Sequence, residues 1–210
     1  MTYIENIYIC LAAPLFISVF IVRKSWRRSL VFLLVGMSCC VVSAYISSFV
    51  AGVVKADNNM AAYAVSPLVE EIIKYMPILF YRLIFKPEKR NSINSILMVA
   101  VGFATFENVC YLTINGSSEL LKLLIRGFGT GAMHVVCSVM LSVGLSFLWD
   151  RAWLRPLGIT AVLGMAITFH AIFNIVVASP GIWCYVGSGF TISLILFYLL
   201  FLKGKFTDME

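Results

Sequence analysis

The residues with the types and spacing to do chemistry lie inside apolar stretches. Glu70 and Glu71 are adjacent in Ser66-Pro67-Leu68-Val69-Glu70-Glu71-Ile72-Ile73-Lys74-Tyr75-Met76-Pro77, with Lys74 four and three residues further on. At that spacing one ammonium can serve both carboxylates on one helix face, which leaves one carboxylate undercompensated. An ionisable group near a bilayer centre costs about 3 kcal/mol on insertion scales, and neighbouring carboxylates also repel one another. A chain that carries such a pair is expected to use it. Glu107, next to Asn108, is a further carboxylate in an apolar run, and the chain's two histidines, His134 and His170, also lie in apolar runs. Asn174 follows His170 by four residues, on the same helix face.

Two chemistries suit this set. A glutamate, Glu70 or Glu71, can take a proton from water while Asn174 and a histidine donate hydrogen bonds to a carbonyl oxygen that gains charge. Alternatively His134, His170 and a carboxylate, Glu107, can hold a divalent metal such as zinc with one open position. The sequence does not choose between them. It has no H-E-x-x-H, the pattern of the common zinc-protease helix.

The elements that must position these groups are membrane helices. Of the 210 residues, 61% are hydrophobic and 12% charged, and the mean hydropathy is +0.95. These values lie outside soluble averages and inside those of multi-span membrane proteins. Seven apolar segments follow, at about residues 3–22, 30–54, 61–85, 92–114, 120–149, 156–178 and 182–202. The expectation is an all-α, polytopic transmembrane helical bundle of about seven spans, forming a single domain over 1–210 with its motif-bearing core at about 66–178. Pro67 can start a helix and Pro77 removes an internal hydrogen bond, so the third span is expected to be broken or kinked.

A net charge of +6 would suggest nucleic acid in a soluble chain. Here twelve of the sixteen Lys and Arg fall at one set of span ends, so they read as topology signals that place the N-terminus outside and the C-terminus in the cytoplasm, with no nucleic-acid partner. The first segment, with no basic residue before it and Arg23-Lys24-Ser25-Trp26-Arg27-Arg28 after it, reads as a retained span and not as a signal peptide. The six cysteines show no zinc or disulfide spacing. Asn115-Gly116-Ser117 is a glycosylation sequon on the outer side, and Gly127 with Gly131 forms a small-residue face for close helix packing.

Depth ties the polar groups together. At 1.5 Å per residue, Glu70, Glu107, His134 and His170 lie roughly 16, 12, 18 and 14 Å from their nearest polar outer boundaries. Groups on four helices thus share a plane and can converge on one hydrated site. The plainer readings are a structural Glu70–Lys74 ion pair, an interhelical His134, Asn174 as helix glue, Arg126 as an interfacial anchor and Tyr111 as packing.

Together the motifs resemble the PrsW family of intramembrane proteases, within the wider superfamily of CAAX prenyl endopeptidases and bacteriocin-processing proteins. The resemblance rests on Val69-Glu70-Glu71-Ile72-Ile73-Lys74-Tyr75, on Gly102-Phe103-Ala104-Thr105-Phe106-Glu107-Asn108 with Tyr111, on His134, and on His170-Ala171-Ile172-Phe173-Asn174, in family order over about residues 66 to 178. Asn91-Ser92 stands where members often carry Asp-Gly, and Asn174 where some carry Asp. The resemblance implies an intramembrane endopeptidase, in a family labelled metalloprotease, that is itself a multi-pass protein of a bacterial cytoplasmic membrane. Its substrate would be a membrane-anchored regulator such as an anti-sigma factor, cut on the extracytoplasmic side, with Glu70, Glu71, Glu107, His134, His170 and Asn174 as the functional set. The rival readings are a proton- or cation-coupled transporter with a glutamate relay, a prenyl-peptide protease and a noncatalytic immunity protein.

Overall fold

A computed structural model of the chain describes residues 4–116 and 120–202, and among the described residues every regular element is helical. The long helices are α1 (Ile4–Ile21) and α2 (Lys24–Val53), followed by a single turn, α3 (Asn58–Met60). Asp57 caps that turn by accepting a 2.7 Å hydrogen bond from the Met60 amide. A π-helical turn, Ala61–Val65, then runs directly into α4 (Ser66–Phe85). The chain continues with α5 (Lys89–Asn115), α6 (Leu120–Leu148), α7 (Arg155–Ala178) and α8 (Trp183–Phe197), which ends in a second π-helical turn, Tyr198–Leu202. Each of the seven expected segments is therefore a helix. Ser117 of the sequon and the terminal Lys203 and Lys205 lie outside the described residues.

Six of these helices, α1, α2, α5, α6, α7 and α8, are long and apolar enough to cross a membrane. The seventh, α4, is long enough but carries Glu70, Glu71, Lys74 and Arg82. Three of those four, Glu71, Lys74 and Arg82, are buried inside the bundle. The bundle's outside is covered by large apolar side chains such as Phe16, Phe20, Phe49, Phe80 and Leu200. This inside-out distribution suits a bundle whose surroundings are hydrocarbon.

Helix α4 is placed by α2, α5 and α7, which pack around it, while α6 packs against α5, α7 and α8. The α2–α5 contact is the most extensive in the fold. Its cause is a pair of glycines. A Cβ on Gly36 would meet the Val99 carbonyl oxygen at 2.1 Å, and one on Gly102 would meet that of Leu33 at 2.0 Å. Both distances are shorter than any real contact, so the two backbones touch only because neither position has a side chain. The expectation that Gly127 and Gly131 make the close packing is corrected here. Gly131 has open space where its Cβ would be, and Gly127 has only the Asn108 amide at 3.8 Å.

Pro77 does not break α4, which is one continuous helix from Ser66 to Phe85 with Pro67 in its first turn. Proline at 77 leaves the Ile73 carbonyl without its helical donor. The Cys39 thiol of α2 approaches that carbonyl, with Sγ 3.6 Å from the oxygen, and supplies a weak replacement bond.

Candidate functional site

Five of the six residues singled out from the sequence meet in one buried cluster between α4, α5, α6 and α7. Glu71 is fully buried. Its Oε1 accepts from Lys74 Nζ at 2.6 Å and from His170 Nδ1 at 2.7 Å. Lys74 Nζ also lies 2.8 Å from His134 Nδ1. An ammonium only donates, so Nδ1 of His134 is the acceptor and its Nε2 carries the ring proton, which it donates to Glu107 Oε2. The chain His170–Glu71–Lys74–His134–Glu107 thus runs unbroken across four helices. Phe103 closes it from α5, its ring centroid 4.7 Å from Lys74 Nζ, and the two histidine rings meet edge to face with centroids 5.1 Å apart.

Glu70 stands apart from this chain. The expectation that Lys74 serves both glutamates holds for Glu71 alone; adjacent helical residues differ by about 100° in direction, and α4 is rotated so that only Glu71 points at the ammonium. Glu70 instead accepts from Ser66 Oγ at 2.7 Å through Oε1. Its Oε2 is buried and has no hydrogen-bond partner among the described residues. That oxygen lies 3.8 Å from Nε2 of His170. Because His170 donates from Nδ1 to Glu71, its Nε2 in the neutral ring is a lone pair, and two acceptors face one another. A proton, a water or a cation fits between them. Glu71 Oε2 is a second buried acceptor with no partner among the described residues.

Ligand atoms of Glu70, His134 and His170 all lie within 4.8 Å of one another. The expected metal set named Glu107 in place of Glu70. In the structure Glu107 serves His134 as hydrogen-bond acceptor, and Glu70 is the carboxylate gathered with the histidines. His170 fits a ligand role as it stands, with one nitrogen tied to a carboxylate and the other free, the arrangement that orients metal-bound histidines. His134 has both nitrogens committed, so it joins such a set by exchanging one hydrogen bond.

Arg126 is corrected from an interfacial anchor to a member of the site. Its Nη1 donates to Asn108 Oδ1 at 2.6 Å, its Nη2 lies 3.5 Å from Glu107 Oε1, and its guanidinium stacks 3.5 Å above the Tyr111 ring. Asn108 in turn donates to the Gly127 carbonyl at 3.3 Å. The four-residue step from Glu107 to Tyr111 and the neighbouring Asn108 were the available signal for this second layer. Asn174 is not brought into the cluster. It is half-buried on the wall of a neighbouring cavity and donates to the Ala62 carbonyl at 3.1 Å, tying α7 to the π-helical turn that precedes α4.

Two cavities reach the cluster and share Glu107 as a common wall. One, of about 520 Å³, lies between α1, α2, α4 and α5, with Glu70, Ser66, Cys40, Tyr45 and Phe103 in its lining. The other, of about 580 Å³, is lined by Tyr63, Arg126, Asn174, Phe173 and Tyr185 among others.

A family model described as PrsW family intramembrane metalloprotease matches residues 24–202 of the chain. No curated protein and no solved structure gives a significant match.

Proposed function

Because the chain belongs to the PrsW family of intramembrane metalloproteases, and is thereby an integral multi-pass membrane peptidase, we propose that Glu70 and His170 are the pair at which it hydrolyses a peptide bond of a membrane-anchored protein. The observation that carries this reading is the unpartnered Oε2 of Glu70 facing the free Nε2 of His170 at 3.8 Å, on the wall of a cavity.

In this reading Glu70 holds the attacking water and takes its proton at Oε2. Ser66 keeps the carboxylate turned toward the cavity through the other oxygen. Glu71 fixes the ring of His170, and Lys74 fixes the tautomer of His134, so that both imidazoles are set before substrate arrives. His134 Nε2–H and Arg126 are the donors nearest Glu107, on the side where charge on a scissile carbonyl could be received. Asn174 acts from outside the cluster, by holding the turn that leads into α4. The donor set Glu70, His134 and His170 fits a divalent cation such as zinc, which when bound would acidify a water and polarise the carbonyl.

The substrate in this reading is a single-span regulatory protein such as an anti-sigma factor. Its unwound segment would lie in the apolar cavity beside Glu70. The charge distribution of the sequence supports an N-out, C-in arrangement in a bacterial cytoplasmic membrane, with the cut on the extracytoplasmic side. The test compares membrane-protein fragments in cells holding wild type or Glu70→Gln at matched abundance. A single-span protein shortened only by wild type is expected. An identical fragment pattern in both would overturn the assignment of Glu70.

A further inference from the structure

At the opposite end of α4 the bundle holds a second concentration of charge that the proteolytic reading does not use. Arg82 is 94% buried, with 6% of its surface exposed, yet it makes no hydrogen bond or ion pair with another described residue. Its guanidinium stacks on Trp149 at 4.1 Å. Stacking uses the face of the group and leaves its five N–H donors without acceptors. Arg155 lies on the same indole at 4.9 Å and is held there by a 2.9 Å bond from its Nε to the Trp149 carbonyl.

Between these groups lies a cavity of about 370 Å³, lined by Arg82, Lys86, Lys89, Trp149, Asp150 and Arg155. Four cations and one carboxylate share it, and Asp150 is engaged with Lys89 at 3.7 Å. The backbone shapes the rim. Lys86 ends α4 in the left-handed conformation, with φ of 43°, and Pro87 follows, which turns the chain across the cavity mouth. The guanidinium nitrogens of Arg82 open onto this cavity and are not sealed inside protein, so the feature that needs explaining is which acceptor meets them there, among cations that repel one another.

We propose that this cavity is an anion site for a phosphate group, with Arg82 as the fork at its floor and Lys86, Lys89 and Arg155 around its rim. Planar N–H donors suit phosphate oxygens, and a ring of flexible ammonium groups suits a tetrahedral anion of more than one charge. The site lies where apolar helices give way to charged ends, the depth of a lipid headgroup. A phospholipid phosphate and free phosphate are the two sources of this chemistry.

The experiment uses the purified full chain. In one arm, native mass spectrometry follows retention of phosphatidylglycerol against phosphatidylcholine after transfer from mixed vesicles; in the other, inorganic phosphate is titrated into lipid-free detergent micelles and the melting temperature is followed. Wild type is expected to retain phosphatidylglycerol, and Lys86→Gln with Lys89→Gln, both at the exposed rim, to weaken retention roughly fivefold for each charge removed. Arg82→Lys, which keeps the charge and loses the fork, is expected to weaken it as well, while Lys24→Gln on α2 leaves it unchanged. A phosphate-dependent rise in melting temperature, lost in the same rim variant, would support the site with free phosphate as its source. Equal retention in wild type, the rim variant and Lys24→Gln, together with no phosphate effect, would overturn the proposal.

Discussion

The two carboxylates that lead α4's buried segment occupy contrasting surroundings. On the inward face Glu71 shares one oxygen between Lys74 and His170, and the network continues through His134 to Glu107. On the cavity face Glu70 has one hydroxyl partner; its other oxygen, like Glu71 Oε2, has none among the described residues, but of the two carboxylates only Glu70 lines a cavity. The closed face resembles a structural ion pair, in which removing one member strands the others. The open face resembles a reaction centre, where an acceptor is held ready for a group not yet there. The difference shows how the molecule keeps a reactive carboxylate in hydrocarbon. The neighbour carries the structural load, and Glu70 needs only one orienting bond.

Four substitutions would break or sharpen this contrast. The largest effect on activity is expected from Glu70→Gln, which should lower cleavage of a reconstituted single-span substrate about a thousandfold. Its thermal unfolding in detergent should stay close to wild type, because little of the network depends on Glu70. Lys74→Met should do the reverse in kind, lowering stability by about 3–5 kcal/mol since it leaves Glu71 and His134 buried without their shared donor. An unfolding midpoint unchanged by Lys74→Met would remove the distinction between the faces. Glu107→Gln should lower cleavage roughly ten- to hundredfold by loosening the ring of His134, the scale seen for groups that orient a ligand or acid. The smallest effect is expected from Ser66→Ala, about 1 kcal/mol in the barrier and so a few-fold in rate, with substrate affinity unchanged. A loss as large as that of Glu70→Gln would mean that the hydroxyl itself takes part in the reaction.

Much of this was legible in the sequence. Seven helices stand where seven apolar segments were read, because hydrocarbon demands long apolar runs and closed backbone hydrogen bonds. The start of α2 was missed by six residues, since Lys24, Arg27 and Arg28 read as loop. The helix begins among them because Arg27 bonds the Phe20 and Val22 carbonyls at the end of α1 and Arg28 reaches Asn91 on α5. The shared depth of Glu70, Glu107, His134 and His170 pointed to their convergence. Depth, however, says nothing about rotation. Which of Glu70 and Glu71 meets Lys74, whether Arg126 faces lipid or Asn108, and whether Asn174 looks inward are all set by how each helix turns about its own axis. That rotation follows from packing on neighbours distant in sequence. The glycines make the same point. Gly127 and Gly131 have the spacing of a packing motif, but only a partner helix decides which glycines are touched, and α2 and α5 chose Gly36 and Gly102.

The glycine contact also limits how the site can move. With carbonyl oxygens of each helix lodged where the other's side chain would be, α2 and α5 cannot slide past one another by a fraction of a turn without collision. They behave as a single stave, and Glu107, one and a half turns beyond Gly102 on the same helix, is carried at a fixed height on it. Any rearrangement that admits a substrate must therefore be made by the other staves, α1, α4, α6, α7 and α8, against a plank that keeps its shape.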